Sequence, residues 1–172
     1  VLCPAPFFVE YGFYTQNHNG VFKTAPCKEL TFELDVEALE AAITPKTKVL
    51  LINSPNNPTG QIYSEESLQA LAGVLKRKSI EHGRTIFLVS DEPYRFLTFD
   101  GETVPSILKL YPHSLVVSSF SKNLSLAGER VGYILVNPDM PGKSVLMEGL
   151  VLTNRILGYV NAPAIGQKLM AR

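Results

Sequence analysis

Six short apolar runs constrain this chain more than any other feature: Val1 to Cys3, Val21 to Ala25, Lys48 to Asn53, Thr85 to Ser90, Leu115 to Ser119 and Val131 to Val136. Each has the length of a β-strand, and several are rich in Val, Ile and Leu without alternating with polar residues. Strands covered on both faces read this way. Between them lie helical patterns. Asp35 stands where its side chain can cap a helix over Val36 to Ile43, and Ser64 can cap another that carries Glu65 and Glu66 in its first turn and Leu68, Leu71 and Leu75 on one face. Strands alternating with helices predict an α/β domain of three layers around a mostly parallel sheet. After Val136 the pattern changes to Pro138, Pro141 and Gly142, then to a long apolar helical stretch from Val145 to about Leu157 and a second helix starting near Ala162 to Ala164. At 172 residues and 45% hydrophobic content the chain can build one sizeable core rather than two, and no repeat, low-complexity tract or linker divides it.

The charges exclude some partners. Lys plus Arg number 16 and Asp plus Glu number 16, so no net field draws the chain to nucleic acid or to an anionic membrane. The expected partner is a small molecule or a second copy. The two cysteines, Cys3 and Cys27, lack CxxC spacing, and His18, His82 and His113 are scattered, so neither a disulfide framework nor a zinc site is signalled. A reduced, cytoplasmic protein is the expectation. The apolar runs fall far short of the ~20 residues of a spanning helix. Val1 is not an initiator Met and opens directly on an apolar run, so a piece of a longer chain is expected, in which the absence of a signal peptide carries no information.

In open α/β sheets ligands collect at the carboxyl ends of the strands. The polar clusters of this sequence fall there. Asn53-Ser54-Pro55-Asn56-Asn57-Pro58-Thr59-Gly60 follows one run, Ser90-Asp91-Glu92-Pro93-Tyr94 the next, and Ser119-Phe120-Ser121-Lys122 a third. A lysine just past a buried strand and beside serines is expected to lose hydration, which disfavours its charged form and leaves an amine able to attack an aldehyde. Lysine imines point to pyridoxal phosphate, whose ring stabilises a carbanion when the protein tunes it. Asp91 is a candidate to keep the pyridine nitrogen protonated, Tyr94 to offer its hydroxyl to the phenolate oxygen, and Arg130 to pair with the phosphate beside Ser119. Taken singly each residue is ordinary: a loop lysine is a solvated charge, an Asp at a strand end a turn residue, a Tyr a packing residue, an Arg half of a surface ion pair, and Asn57-Pro58-Thr59-Gly60 a turn. Their ordered combination sets them apart.

Asn57-Pro58-Thr59-Gly60, Ser90-Asp91-Glu92-Pro93-Tyr94, and Ser119-Phe120-Ser121-Lys122 running on to Gly128-Glu129-Arg130-Val131-Gly132 resemble, in order and spacing, the class I and II aminotransferases of the aspartate aminotransferase superfamily, fold type I enzymes that use pyridoxal 5'-phosphate. The resemblance covers nearly the whole chain and implies the central part of the large, cofactor-binding domain. It implies that Lys122 carries the cofactor as a Schiff base and shuttles the proton of the 1,3-transfer. Asp91 becomes the partner of the ring nitrogen, and Tyr94 and Asn57 those of the phenolate oxygen, with Asn57 also contacting the substrate carboxylate. Ser119 and Arg130 become phosphate ligands, with Ser121 a weaker candidate. Pro4-Ala5-Pro6-Phe7-Phe8 resembles the segment whose aromatic stacks on the ring, which puts Phe8 over the pyridine face; core packing is the alternative. The resemblance further implies cis peptides at Ala5-Pro6 and Asn57-Pro58, a homodimeric parent protein with amino acid and 2-oxo acid substrates, and an antiparallel Val131 to Val136 strand. The short Ala127 to Arg130 turn supports that last feature, since a parallel return needs a crossover of about a dozen residues.

Pro93 departs from the family, which more often has an aliphatic residue there; it stiffens the turn without removing a reactive side chain. The family's glycine-rich phosphate loop and the arginine that grips the substrate carboxylate are not in this chain, so the piece alone is expected to be inactive. The same scaffold serves carbon-sulfur β-lyases, and some transcription regulators carry an aminotransferase-like domain as a ligand sensor, although no basic DNA-binding module is present in this sequence. Gly142-Lys143-Ser144 lacks the preceding glycine of a P-loop.

Overall fold

The computed structural model describes residues 1–171. Six strands, β1 (Leu2–Ala5), β2 (Lys23–Pro26), β3 (Val49–Asn53), β4 (Phe87–Asp91), β5 (Ser114–Ser119) and β6 (Gly132–Val136), form one sheet in the order β2-β1-β3-β4-β5-β6. All neighbours run parallel except β6, which is antiparallel to β5, as its short connection requires. All six predicted strands are present, with ends moved by one or two residues.

The helices form where the sequence supplies caps. The Asp35 carboxylate accepts a hydrogen bond from the Ala38 N–H at 2.9 Å and opens α2 (Val36–Ala42); the Ser64 hydroxyl accepts one from Ser67 at 3.2 Å and opens α3 (Glu65–Glu81). Leu39 of α2 and Leu68, Leu71 and Leu75 of α3 are fully buried against Leu2, Leu50, Ile52 and Leu88 of the sheet, and this face holds the core.

The other face departs from expectation. Val49, Leu51, Phe87 and Val89 point away from α2 and α3 and are only half-buried. The third layer consists of α1 (Glu10–Gln16), which reaches β4 through Tyr11, and α5 (Lys143–Ile156), which shares a cavity with β5 and β6; a last helix, α6 (Ala164–Met170), follows. None of the α5 residues is buried, and Val145 and Ile156 are 72% and 74% exposed. The unalternating strands therefore carry an apolar face that this chain covers only in part. Ala5-Pro6 and Asn57-Pro58 are cis, as expected, and so is Ser54-Pro55. Among the described residues no helix is long and apolar enough to cross a membrane, and no cluster of His, Cys, Asp or Glu could hold a metal ion.

Candidate active site

Parallel pairing brings three strand ends to one rim. Asn53 pairs with Asp91, and Asp91 with Val117, so Ser119 lies two residues, or roughly 7 Å, beyond Asp91 along its strand. The segments that follow these ends carry Asn57, Tyr94 and Lys122 respectively.

Asn53 welds two of the ends together. Its buried amide donates to the Asp91 carbonyl at 2.8 Å, and its side-chain oxygen accepts from the Asn57 N–H at 2.7 Å. The turn beyond is closed by Asn56, whose oxygen accepts from the Thr59 N–H at 3.1 Å and the Thr59 hydroxyl at 2.9 Å. Asn57 and Tyr94 then line one cavity of about 420 Å³ with Ile62, Leu97 and Phe99.

Asp91 continues the alternation of β4, in which Leu88 and Ser90 face the core, so its carboxylate points to the opposite, half-open face. There the Tyr11 hydroxyl donates to Oδ2 at 2.6 Å. Burial raises the Asp91 pKa above the ordinary carboxylate value; the Tyr11 hydrogen bond opposes this and the neighbouring Glu92 charge adds to it. Tyr11 is pushed upward too, first by burial, then by Asp91, with a weaker contribution from Tyr94. Phe8 packs edge-on against Tyr11, ring centroids 5.5 Å apart, and remains half-buried.

The third end is more open. The Ser119 hydroxyl accepts from the Ser121 N–H at 3.4 Å and so starts α4 (Phe120–Asn123), which carries Lys122. Lys122 is exposed, whereas desolvation was expected from its place beyond a buried strand: α4 has no buried residue, and none of the described elements covers Lys122. Arg130 adopts a left-handed backbone, φ 54°, at the end of the Ala127–Glu129 turn. Its guanidinium donates to the Ala127 carbonyl at 2.9 Å and borders a cavity of about 710 Å³ beside Ser118 and Gly132. Gly132 is required there, because a Cβ would lie 2.8 Å from the Ser118 carbonyl oxygen.

Six of the eight residues singled out in the sequence, Phe8, Asn57, Asp91, Tyr94, Ser119 and Ser121, thus sit in or beside the contacts that knit the rim, while Lys122 and Arg130 stand at its exposed edge. Sequence reasoning missed Tyr11 and the joining role of Asn53. Tyr11 carries no local signal, being 80 positions from the carboxylate it touches; Asn53 was visible as a polar residue ending an apolar strand.

Comparison with known proteins places the chain in a family. The family described as Aminotransferase class I and II matches residues 1–171. The aspartate aminotransferase of Geobacillus stearothermophilus is 38% identical over 138 residues, covering 77% of this chain and 34% of that protein. A probable aspartate aminotransferase of Methanocaldococcus jannaschii is 31% identical over 151 residues, 88% of this chain and 38% of that protein. The chain thus spans about a third of the length of these curated relatives. Among solved structures, an amino transferase from Eubacterium rectale superposes with a TM-score of 0.95 at 42% identity, covering 97% of this chain and 42% of that one. The aspartate aminotransferase of Thermus thermophilus with maleate gives 0.79 at 32% identity, covering 96% and 40%. With a matching family pattern over its described length and the same fold in its relatives, the chain belongs to the class I and II aminotransferases.

Proposed function

We propose that the whole protein is a pyridoxal-phosphate-dependent aminotransferase that moves an amino group between an amino acid and a 2-oxo acid, and that this chain is a single unit from the centre of its cofactor-binding domain. One observation carries the reading most directly. Asp91 is a largely buried carboxylate that makes no ion pair among the described residues and has only a phenol hydroxyl as hydrogen-bond donor. A protonated pyridine nitrogen is a cation of the right size to meet that charge, so the residues fit the cofactor.

When bound, pyridoxal phosphate supplies an aldehyde carbon for the amino group and an electron-withdrawing ring that stabilises negative charge on the substrate α-carbon. The chain's side chains do the rest. The Asp91 carboxylate holds a proton on the ring nitrogen, and Tyr11, itself steadied by Phe8, fixes the orientation of that carboxylate. Tyr94 and Asn57, which line one cavity, would donate to the phenolate oxygen. Ser119, Ser121 and Arg130 would bind the phosphate. Phe8 would face the ring. Lys122 Nζ would be the amine that holds the group, and the same amine would carry a proton to and from the substrate α-carbon. The whole protein is a cytoplasmic homodimer in this reading.

The test is product formation by the whole protein. With pyridoxal phosphate and aspartate, oxo acid should form beyond one equivalent of bound cofactor only when a 2-oxo acid acceptor is present. Acceptor-independent release of ammonia and oxo acid from a thioether amino acid, with no transfer, would make it a carbon-sulfur lyase instead.

A further inference from the structure

Arg95 follows Tyr94 directly and makes three contacts that no other side chain at the rim duplicates. Its Nη1 lies 2.7 Å from Glu92 Oε2, its Nη2 donates to the Val104 carbonyl at 2.6 Å, and Nη1 also reaches the Pro105 carbonyl at 3.4 Å. Glu92 is anchored in the sheet. Its side chain is 2% exposed, its N–H donates to the Val117 carbonyl at 2.8 Å, and its own carbonyl accepts from the Ser118 hydroxyl at 3.0 Å. The guanidinium therefore ties the joined ends of β4 and β5 to the far end of a loop, residues 94–105. Apart from Val104, which is buried near its far end, the loop has little apolar anchorage, since Phe96, Leu97 and Phe99 are 52%, 48% and 70% exposed and contribute little burial. Yet this loop carries Tyr94 and supplies Leu97 and Phe99 to the cavity that Tyr94 shares with Asn57.

We infer that the Glu92–Arg95 pair is a positioning device for the cofactor site: Arg95 closes the 94–105 loop on the sheet and so fixes the Tyr94 hydroxyl beside Asn57. The inference rests on the proposed role of Tyr94 and adds to it a residue that touches no cofactor. The chemistry suits arginine. A planar fork can meet a carboxylate on one side and backbone carbonyls on the other, which the single ammonium of lysine cannot do at once. The pair also balances charge, because Glu92 is the immediate neighbour of Asp91 and its negative charge opposes ionisation of that carboxylate. An unpaired Glu92 would oppose it more.

The test uses the whole protein and its R95M, R95K, Y94F and Y94F/R95M variants. In the ligand-free state, chymotrypsin should cut R95M at Phe96, Leu97 or Phe99 several-fold faster than wild type. Affinity for pyridoxal phosphate should fall about tenfold in R95M, less in R95K. Because Arg95 acts through Tyr94, the loss in Y94F/R95M should be well below the product of the two single losses. The pH midpoint of the bound-cofactor absorbance should move in R95M, which a purely structural contact would leave in place. Should R95M not fold, E92Q, which keeps a neutral acceptor for Arg95, carries the same measurements with smaller changes in the same direction. Wild-type cleavage and affinity in these variants, or fully multiplicative losses, would overturn the inference. If wild type itself fails to take up pyridoxal phosphate, the reading of the site fails, while the cleavage rates still decide whether Arg95 holds the loop.

Discussion

Asp91 sets the needs of the site against those of the fold. Its carboxyl binds a proton more tightly folded than unfolded, because burial outweighs the Tyr11 hydrogen bond. Its contribution to stability is therefore fully present below the ordinary carboxylate pKa and is lost as pH rises through the raised value. Asp91→Asn keeps an acceptor for Tyr11 and removes that loss. In the ligand-free protein the urea midpoint of the variant should exceed wild type near neutral pH, and the gain should shrink toward about pH 4. Affinity for pyridoxal phosphate should fall about tenfold or more, since a hydrogen bond to a charged group contributes roughly 1.5–3 kcal/mol. A lower urea midpoint than wild type near neutral pH would contradict this. Asn53 should behave oppositely. Asn53→Ala leaves the Asp91 carbonyl and the Asn57 N–H without their partner, at a cost of about 1–3 kcal/mol for each group left unpaired. Urea unfolding checks it, and a change below about 0.5 kcal/mol would mean that water replaces the amide at no loss.

At the level of elements, the sequence was legible wherever local chemistry decides the outcome. Asp35 and Ser64 cap the helices assigned to them, the apolar runs are the strands, and the short Ala127 to Arg130 connection makes β6 antiparallel. It was less legible where an outcome depends on what lies across space. Apolar runs announce two covered faces, but they do not say which segment covers the second; here α1 and α5 cover it only in part, and Lys122 stands exposed where burial was expected. Tyr11 escaped notice for the same reason, since only the fold brings it to Asp91. The β5–β6 pair offers a test at this scale. Gly132→Ala places a Cβ 2.8 Å from a strand carbonyl that cannot swing aside. The substitution should destabilise by about 1–3 kcal/mol and loosen Arg130 with the turn that precedes it. Thermal unfolding and phosphate-dependent protection of that turn from exchange would report both, and a neutral substitution would show that the strands can part.

Across the whole molecule the apolar surface is unevenly placed. Val145, Val151, Leu152 and Ile156 of α5 and Ile165 and Leu169 of α6 all stand exposed, and α5 borders the cavity that it shares with β5 and β6. Apolar surface gathered in this way marks contact with further protein. In the proposed reading the whole protein dimerises, and it should sediment at twice its chain mass at micromolar concentration; a monomer there would contradict the dimer. The central claim is narrower and concerns Lys122. Borohydride treatment of the whole protein with pyridoxal phosphate should fix the reduced cofactor to one peptide, the one containing Lys122, and Lys122→Ala should abolish that label and lower turnover by more than the roughly 10²–10⁴-fold assigned to a single acid-base group, while leaving the melting temperature nearly unchanged. Peptide mapping of the adduct decides it: label on Lys122 is the predicted result, and label on Lys109, Lys143 or any other lysine would contradict the assignment of the site.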